Sequence, residues 1–335
     1  MLTDLGLDEL RAYRSDFRAP VDFDAFWAAT LAGQAQYPLD VRATPVTTAL
    51  REIDVFDVTF AGFGGDPIHG WLRLPHHLDA PVPAVVQFPG YTSGRGAPTD
   101  DLVWPASGYA QLAIDVRGQG ASHAPGAMGD PHGSGPAAPG FLTRGIDSPH
   151  TYYYRRVHVD AVRAVAAVRS LPQVDPDRVA AVGISQGGGI ALAVAGLVPD
   201  LAALFAQAPF LCDIRRASLI TDEEPYAELP RYLRTHRGAV EPVFSTLAYF
   251  DGVAFAGRAH APAWFSTGLM DPICPPSTTF AVHAEYAGPK HLAVWPYNAH
   301  EAGGSADLEI VLAGFADVLH RETEPRVPSM SGGTS

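Results

Sequence analysis

The chain has 335 residues, 47% of them apolar, which suits one large α/β domain with insertions or two domains, and leaves ample material for a core. The formal net charge is −13 and Lys290 is the sole lysine, so no basic patch serves nucleic acid or an anionic membrane, and the acidity is read as an aid to solubility. Two cysteines, Cys212 and Cys274, are too few for a disulfide framework; residues 1–10 lack the basic and apolar regions of a signal peptide, and no apolar run matches a membrane span, so a soluble, cytoplasmic protein is expected.

Residues 1–48 read as an amino-terminal helical extension, with Phe23, Phe26, Trp27 and Leu31 on one helical face. Alternating Ile53, Val55, Val58 and Phe60 predict a half-buried strand over 51–61, joined by a turn at 62–66 to a strand over 68–74 as a hairpin. The mostly apolar runs at 82–88 and 110–116 suit strands buried on both faces. Residues 121–149 are rich in Gly, Pro and His and read as a long loop, a feature that usually serves function or an interface. A helix over 152–171 carries the stripe Val157, Val162, Val165 and Val168. A strand over 179–182, a sharp turn over 183–187 and an Ala-rich helix over 190–197 follow. The strand over 201–205 is stopped by Pro209, and residues 212–259, broken near Pro225, Pro230, Gly238 and Pro242, read as a helical cap inserted over the carboxyl edge of the sheet. Strands at 263–268 and 291–295, a helix started by Pro275 and Pro276, and an amphipathic helix over 308–319 close a single domain of residues 1–320. The tail, 321–335, is predicted to be disordered. Alternating strands and helices imply an α/β fold, a mostly parallel eight-stranded sheet between helical layers, with ligands bound at the carboxyl ends of the strands.

The turn Gly183-Ile184-Ser185-Gln186-Gly187 has the pattern of a nucleophile elbow. Such an elbow strains the serine backbone, and its glycines let strand and helix approach closely. It lifts Ser185 to the amino end of a helix, where free N–H groups favour developing negative charge. A serine hydroxyl needs a base, and the base an orienting acid, in the chain order Ser, Asp or Glu, His. Asp271 follows the strand over 263–268 and His300 follows the last strand, which puts both at the required edge. Asp271 could instead cap the helix after Pro275, and His300 is one of 13 histidines. His291 starts its strand and so lies at the wrong edge; Asp213 and Asp251 fall in the cap, where a solvated or structural role is expected, and Glu301 is read as a surface charge by default. The oxyanion hole is assigned to the backbone N–H groups of Gln186 and Tyr91, the latter in the loop after the strand over 82–88. Tyr91, Phe210 and Leu211 are candidates for a small apolar acyl site. No metal or cofactor is expected, since no dinucleotide- or phosphate-binding signature occurs.

Beyond the elbow, the chain resembles the acetyl xylan esterase and cephalosporin C deacetylase group, carbohydrate esterase family seven, of the α/β-hydrolase superfamily. The likeness runs over residues 1 to about 320. It is carried by Tyr13-Arg14, the run Phe23 to Trp27, Arg117-Gly118-Gln119-Gly120, Asp147 to Arg156, Gly183 to Gly189, Pro209 to Asp213, Pro225 to Glu228, Tyr249 to Gly252, Gly268 to Ser277 and Tyr297 to Glu301. Pro272 and Ala302 look like minor departures. The resemblance implies Ser185, Asp271 and His300 as the triad, with Tyr91 and Gln186 as the oxyanion hole. It implies deacetylation of small substrates, such as acetylated xylo-oligosaccharides and the 3′-acetyl of cephalosporin C. It also implies a ring-shaped homohexamer whose sites face an internal cavity, with contacts from the loop over 121–149 or the hairpin over 51–75. The alternatives are another short-chain carboxylesterase or a peptidase of the same fold, and a binding protein that kept the scaffold without catalysis.

Overall fold

The computed structural model describes residues 2–320 except 134 and 136; the tail read as disordered lies outside the described residues. Nine strands form one sheet: β1 (Arg42–Val46), β2 (Ile53–Ala61), β3 (Pro67–Pro75), β4 (Val82–Phe88), β5 (Ala110–Ile114), β6 (Val174–Ile184), β7 (Ala203–Gln207), β8 (Ala263–Gly268) and β9 (Lys290–Trp295), in the order β1-β2-β3-β5-β4-β6-β7-β8-β9. The expected count of eight is corrected by β1, a strand within the segment read as a helical extension. It is exposed along most of its length, so it lacks the apolar alternation that marks a strand, and it is held by antiparallel pairing to β2. The expected hairpin is β2 and β3; β3 pairs antiparallel with β5, and β4 through β9 are parallel.

Both faces of the central strands are covered, and the pleat divides their side chains between two cores. Ala84, Val86, Val179, Ala181, Leu204 and Ala206 face the larger core, which also takes in α4 (Tyr153–Arg169), α5 (Gln186–Leu197) and the helices of the insertion. Val85, Ala180, Val182 and Phe205 point the other way, against Trp104 of α3 (Val103–Ala106) and Val311, Phe315 and Leu319 of α11 (Ser305–Leu319). That two-sided burial is why these strands read as continuous apolar runs.

The amino-terminal segment holds α1 (Leu7–Ala12) and α2 (Phe23–Ala32), with Phe23, Phe26 and Trp27 buried as the helical spacing predicted. The insertion after β7 forms α6 (Ile214–Ile220), α7 (Glu228–Leu233), α8 (Val240–Leu247) and α9 (Gly252–Ala256). α9 packs on α5, so the insertion ends in the main helical layer. α10 (Pro276–Glu285) lies between β8 and β9. The long loop is not a free excursion: Phe141, Leu142 and Ile146 are buried in the larger core. No helix among the described residues is long and apolar enough to cross a membrane.

Candidate active site

The turn between β6 and α5 is tight enough to exclude side chains. A Cβ on Gly183 would fall 2.2 Å from the Gly187 carbonyl carbon, and one on Gly187 would fall 2.0 Å from the Phe88 carbonyl oxygen. Ser185 takes φ 56° and ψ −121°, a conformation that L-residues adopt only where the surroundings over-determine it. Here the clamps are explicit. The Ser185 N–H donates to the Gln207 carbonyl at 2.9 Å, and the Ser185 carbonyl accepts from Gly189 N at 3.0 Å and Phe210 N at 2.9 Å. The first-turn N–H groups of α5 have no partner within their own helix, so the elbow presents donors beside the hydroxyl.

Asp271 follows β8 and is fully buried. Its Oδ1 accepts from Ile273 N at 2.8 Å and Cys274 N at 2.9 Å, and its Oδ2 lies 2.8 Å from His300 Nδ1. That pairing leaves the other imidazole nitrogen for the cavity, whose wall His300 shares with Ser185. Glu301 turns away from the site: its carboxylate accepts from Asn298 Nδ2 and Ala299 N, closing the histidine turn. His291 stacks on Trp264, away from the elbow, and Asp251 accepts from the N–H groups of Asp213, Ile214 and Val253, a structural anchor for the insertion. The two thiols, Cys212 and Cys274, are free and buried; burial and the charge of Asp271 push the Cys274 thiol up, while a hydrogen bond with Ser185 opposes the shift.

The two residues expected to form the oxyanion hole are braced by side chains. Gln186 Nε2 donates to the Gly90 carbonyl at 3.3 Å and the Pro89 carbonyl at 3.4 Å, tying the residue after Ser185 to the turn that carries Tyr91. Gln186 Oε1 accepts from Gln119 Nε2 and from the Tyr154 hydroxyl, both at 2.8 Å, and Gln119 Oε1 accepts from Thr92 N at 2.7 Å. Gln119, from the Arg117-Gly118-Gln119-Gly120 turn, thus bridges elbow and turn. Burial in this pocket, together with Glu228, pushes the Tyr91 phenol well above its ordinary range. Burial likewise raises the Glu228 carboxyl.

The cavity in front of Ser185 measures about 350 Å³. Tyr91 to Ser93 and Ser122 to His123 line it, together with Pro139 from the long loop, Glu224 and Pro225 from the insertion, and Ile273 beside the acid. Phe210 and Leu211, expected to face the acyl group, do not line the cavity: both are buried, and the Phe210 ring packs behind the wall on Tyr91 at 6.0 Å and Tyr226 at 4.6 Å. The sequence reading missed Glu224, Pro225 and Ile273; a Pro-marked break in the insertion and the Asp-Pro-Ile-Cys run after β8 were the available signals. No group of three or more His, Cys, Asp or Glu that could hold a metal ion occurs among the described residues.

The family model for acetyl xylan esterase (AXE1) matches residues 1–313. Among solved structures, an acetyl xylan esterase from Paenibacillus sp. R4 is 37% identical with a TM-score of 0.88, over 94% of this chain and 100% of that one. Acetyl xylan esterase 1 from Thermoanaerobacterium sp. JW/SL YS485 is 32% identical with a TM-score of 0.84, over 93% and 99%. Acetyl esterase Axe7A of Xylanibacter ruminicola (strain ATCC 19189 / DSM 19721 / CIP 105475 / JCM 8958 / 23) is 29% identical over 290 residues; the match takes in 84% of this chain, which spans 63% of that protein's length. A likeness that runs through extension, elbow, insertion and histidine turn alike goes beyond a shared hydrolase scaffold: this chain belongs to the acetyl xylan esterase family.

Proposed function

We propose that the protein is a serine carboxylesterase that removes acetyl groups from small substrates, acetylated xylo-oligosaccharides first among them and cephalosporin C as a further candidate. The observation that carries this reading is the 2.8 Å contact of His300 Nδ1 with the buried Asp271 carboxylate, on a histidine that shares its cavity with the strained Ser185. In the mechanism, His300 takes the Ser185 proton through Nε2 while Asp271 holds the imidazole and stabilises its charged form. Ser185 Oγ adds to the acetyl carbonyl, and the N–H groups of Gln186 and Tyr91 receive the oxyanion. Each such donor is worth ~2.7–4 kcal/mol in the transition state. The sugar alcohol leaves with the proton from His300, and water then releases acetate by the reverse sequence. Membership of the acetyl xylan esterase family supports acetate as the acyl group, and a cavity of about 350 Å³ is in keeping with a small ester.

Acetate release from xylo-oligosaccharide acetates, measured beside cephalosporin C, tests the substrate. With p-nitrophenyl esters, kcat/KM is expected to fall as the acyl chain lengthens from acetate; a flat series points to a general carboxylesterase, and cleavage of peptide amides to a peptidase. Ser185→Ala is expected to remove at least about 10³-fold of the acetyl-ester activity; near wild-type turnover would place the catalytic site elsewhere, and a wild-type protein with no esterase activity would be a binding protein. A hexameric ring rests on the family resemblance alone, and light scattering at a mass other than six times the 35.6 kDa chain would remove it.

A further inference from the structure

The turn that carries Tyr91 is held from two sides. On the inner side are Gln186 and Gln119, as described above. On the outer side stands Glu228, at the start of α7 in the insertion, only 5% exposed. The Tyr91 hydroxyl donates to Glu228 Oε1 at 2.5 Å, and the same hydroxyl accepts from Phe141 N at 2.9 Å. Glu228 also accepts from two amides of the long loop, Gly140 N at 2.9 Å and Leu142 N at 3.0 Å. One carboxylate therefore joins three segments distant in sequence: the insertion, the long loop and the oxyanion turn. Its donors are a phenol and two amides, all neutral. Hydrogen bonds of this charge-assisted kind are short and roughly twice as strong as neutral ones, so a buried carboxylate here holds the phenol more firmly than an amide could.

The turn needs such holding. Thr92, next to Tyr91, stands at φ 66°, a left-handed conformation that costs about 1–3 kcal/mol in a residue other than glycine and persists only under external restraint. Preorganised donors act on a transition state only while they are fixed in place. Residues 224 and 225, which line the cavity, lie one turn of chain before Glu228, so the same anchor also seats the insertion's wall.

We propose that Glu228 is a positioning residue for the oxyanion hole: through the Tyr91 hydroxyl it fixes the Tyr91 N–H, and through Gly140 and Leu142 it locks the long loop against that turn. The proposal rests on the esterase reading above, and wild-type hydrolysis of p-nitrophenyl acetate together with its loss in Ser185→Ala reports on that reading separately.

The test compares Glu228→Gln, Tyr91→Phe and the double variant, with p-nitrophenyl acetate as substrate and a trifluoromethyl ketone as inhibitor. Addition of Ser185 Oγ to the ketone, with its proton passing to His300, places a tetrahedral oxyanion in the hole without a leaving group. Both single variants are expected to lower kcat by about 10–100-fold, less than outright removal of a donor, which costs about 10²–10³. KM is expected to stay within about threefold, and ketone affinity to weaken by the same factor as kcat/KM. The double variant is expected to be no slower than the slower single variant, because both changes cut one linkage. Tyr91→Phe keeps the ring and carries the test if Glu228→Gln does not fold. The proposal is overturned if Tyr91→Phe retains kcat within twofold of wild type, if the two losses multiply, or if kcat falls while ketone affinity is unchanged.

Discussion

Asp271 divides its work between its two oxygens. Oδ1 caps the turn that leads into α10, through Ile273 N and Cys274 N, and Oδ2 faces His300. The helix-cap and triad readings of this residue compete in the sequence; in the fold Asp271 braces the turn ahead of α10, whose own N-cap is Pro275, and still has an oxygen for His300. The consequence is sharp for Asp271→Asn. The carbonyl of the new amide can keep the turn, but its NH2 would then face His300 Nδ1 and force the proton onto Nε2, the nitrogen that accepts from Ser185 in the proposed mechanism. The expected result is a fall in kcat of about 10³–10⁴-fold on p-nitrophenyl acetate with an unchanged near-UV circular dichroism spectrum; a loss under tenfold would separate Asp271 from catalysis. Phe210 and Leu211 show the opposite side of legibility. After β7 the chain passes through left-handed conformations at Ala208 (φ 40°), Leu211 (φ 63°) and Asp213 (φ 44°), none of them a glycine. Pro209 marks the end of the strand in the sequence, but no glycine marks these left-handed positions, and so nothing signals that Phe210 packs behind Tyr91 and that neither side chain lines the cavity.

At the scale of elements, legibility followed burial. Strands covered on both faces, such as β4 and β7, announced themselves as apolar runs; β1, exposed and polar, did not. The elbow was legible because its glycines answer to a steric demand that the sequence spells out, whereas the insertion's contribution to the cavity depends on how α7 is seated, which no local pattern encodes. α4 carries a further oddity. Its His158 is fully buried among Trp27, Tyr154, Phe250 and Phe255, with ring centroids 5.4–6.1 Å away, and neither ring nitrogen has a hydrogen-bond partner among the described residues. Burial lowers its pKa to about 3, so it stays neutral in the folded protein. The sign follows from linkage: above the unfolded value of about 6.5 neither state binds a proton, and below it the unfolded chain takes up a proton that the folded protein refuses. Stability from this group is therefore whole above pH 6.5 and is lost as the pH falls from there toward 3. His158→Leu removes two orphaned polar atoms at similar volume and is expected to raise stability by about 1–2 kcal/mol at pH 7. Its advantage over wild type should widen by about 2 kcal/mol between pH 7 and pH 5, read from urea unfolding at each pH. A constant gap would mean that the imidazole finds a partner.

At the scale of the whole molecule, the amino-terminal segment, read from sequence only as an extension, acts as a strap that runs from the sheet's carboxyl edge over the insertion to the residues just before β8. Tyr13 donates to Asp213, Trp27 Nε1 to the Tyr249 carbonyl, and Arg258 pairs with Asp24, so the strap grips the insertion at several points. Its first residues reach the turn that carries Asp271. Thr3 Oγ1 donates to the Asp271 carbonyl at 2.8 Å, and Asp4, with a side chain only 3% exposed, pairs with Arg216 at 2.9 Å and accepts from Ser277 N at 2.8 Å at the start of α10. Leu10 completes the contact from below, buried with Leu269 and Phe280 on either side of the acid turn. Asp271 is thereby held by a segment more than 260 positions away in sequence. Asp4→Ala removes one partner of a largely buried ion pair and leaves the Ser277 N–H without its acceptor, at a cost of about 1–3 kcal/mol. Since α10 and the acid turn share that anchor, the loss is expected in function as well as stability: a Tm lower by several degrees, and kcat on p-nitrophenyl acetate down severalfold at 25 °C, well below the melting range, with KM little changed. Asp4→Asn, which keeps an acceptor for Ser277 N while giving up the charge, is expected to recover most of kcat and less of Tm. If both variants melt early yet turn over at the wild-type rate, the strap stabilises the fold without setting the position of the acid.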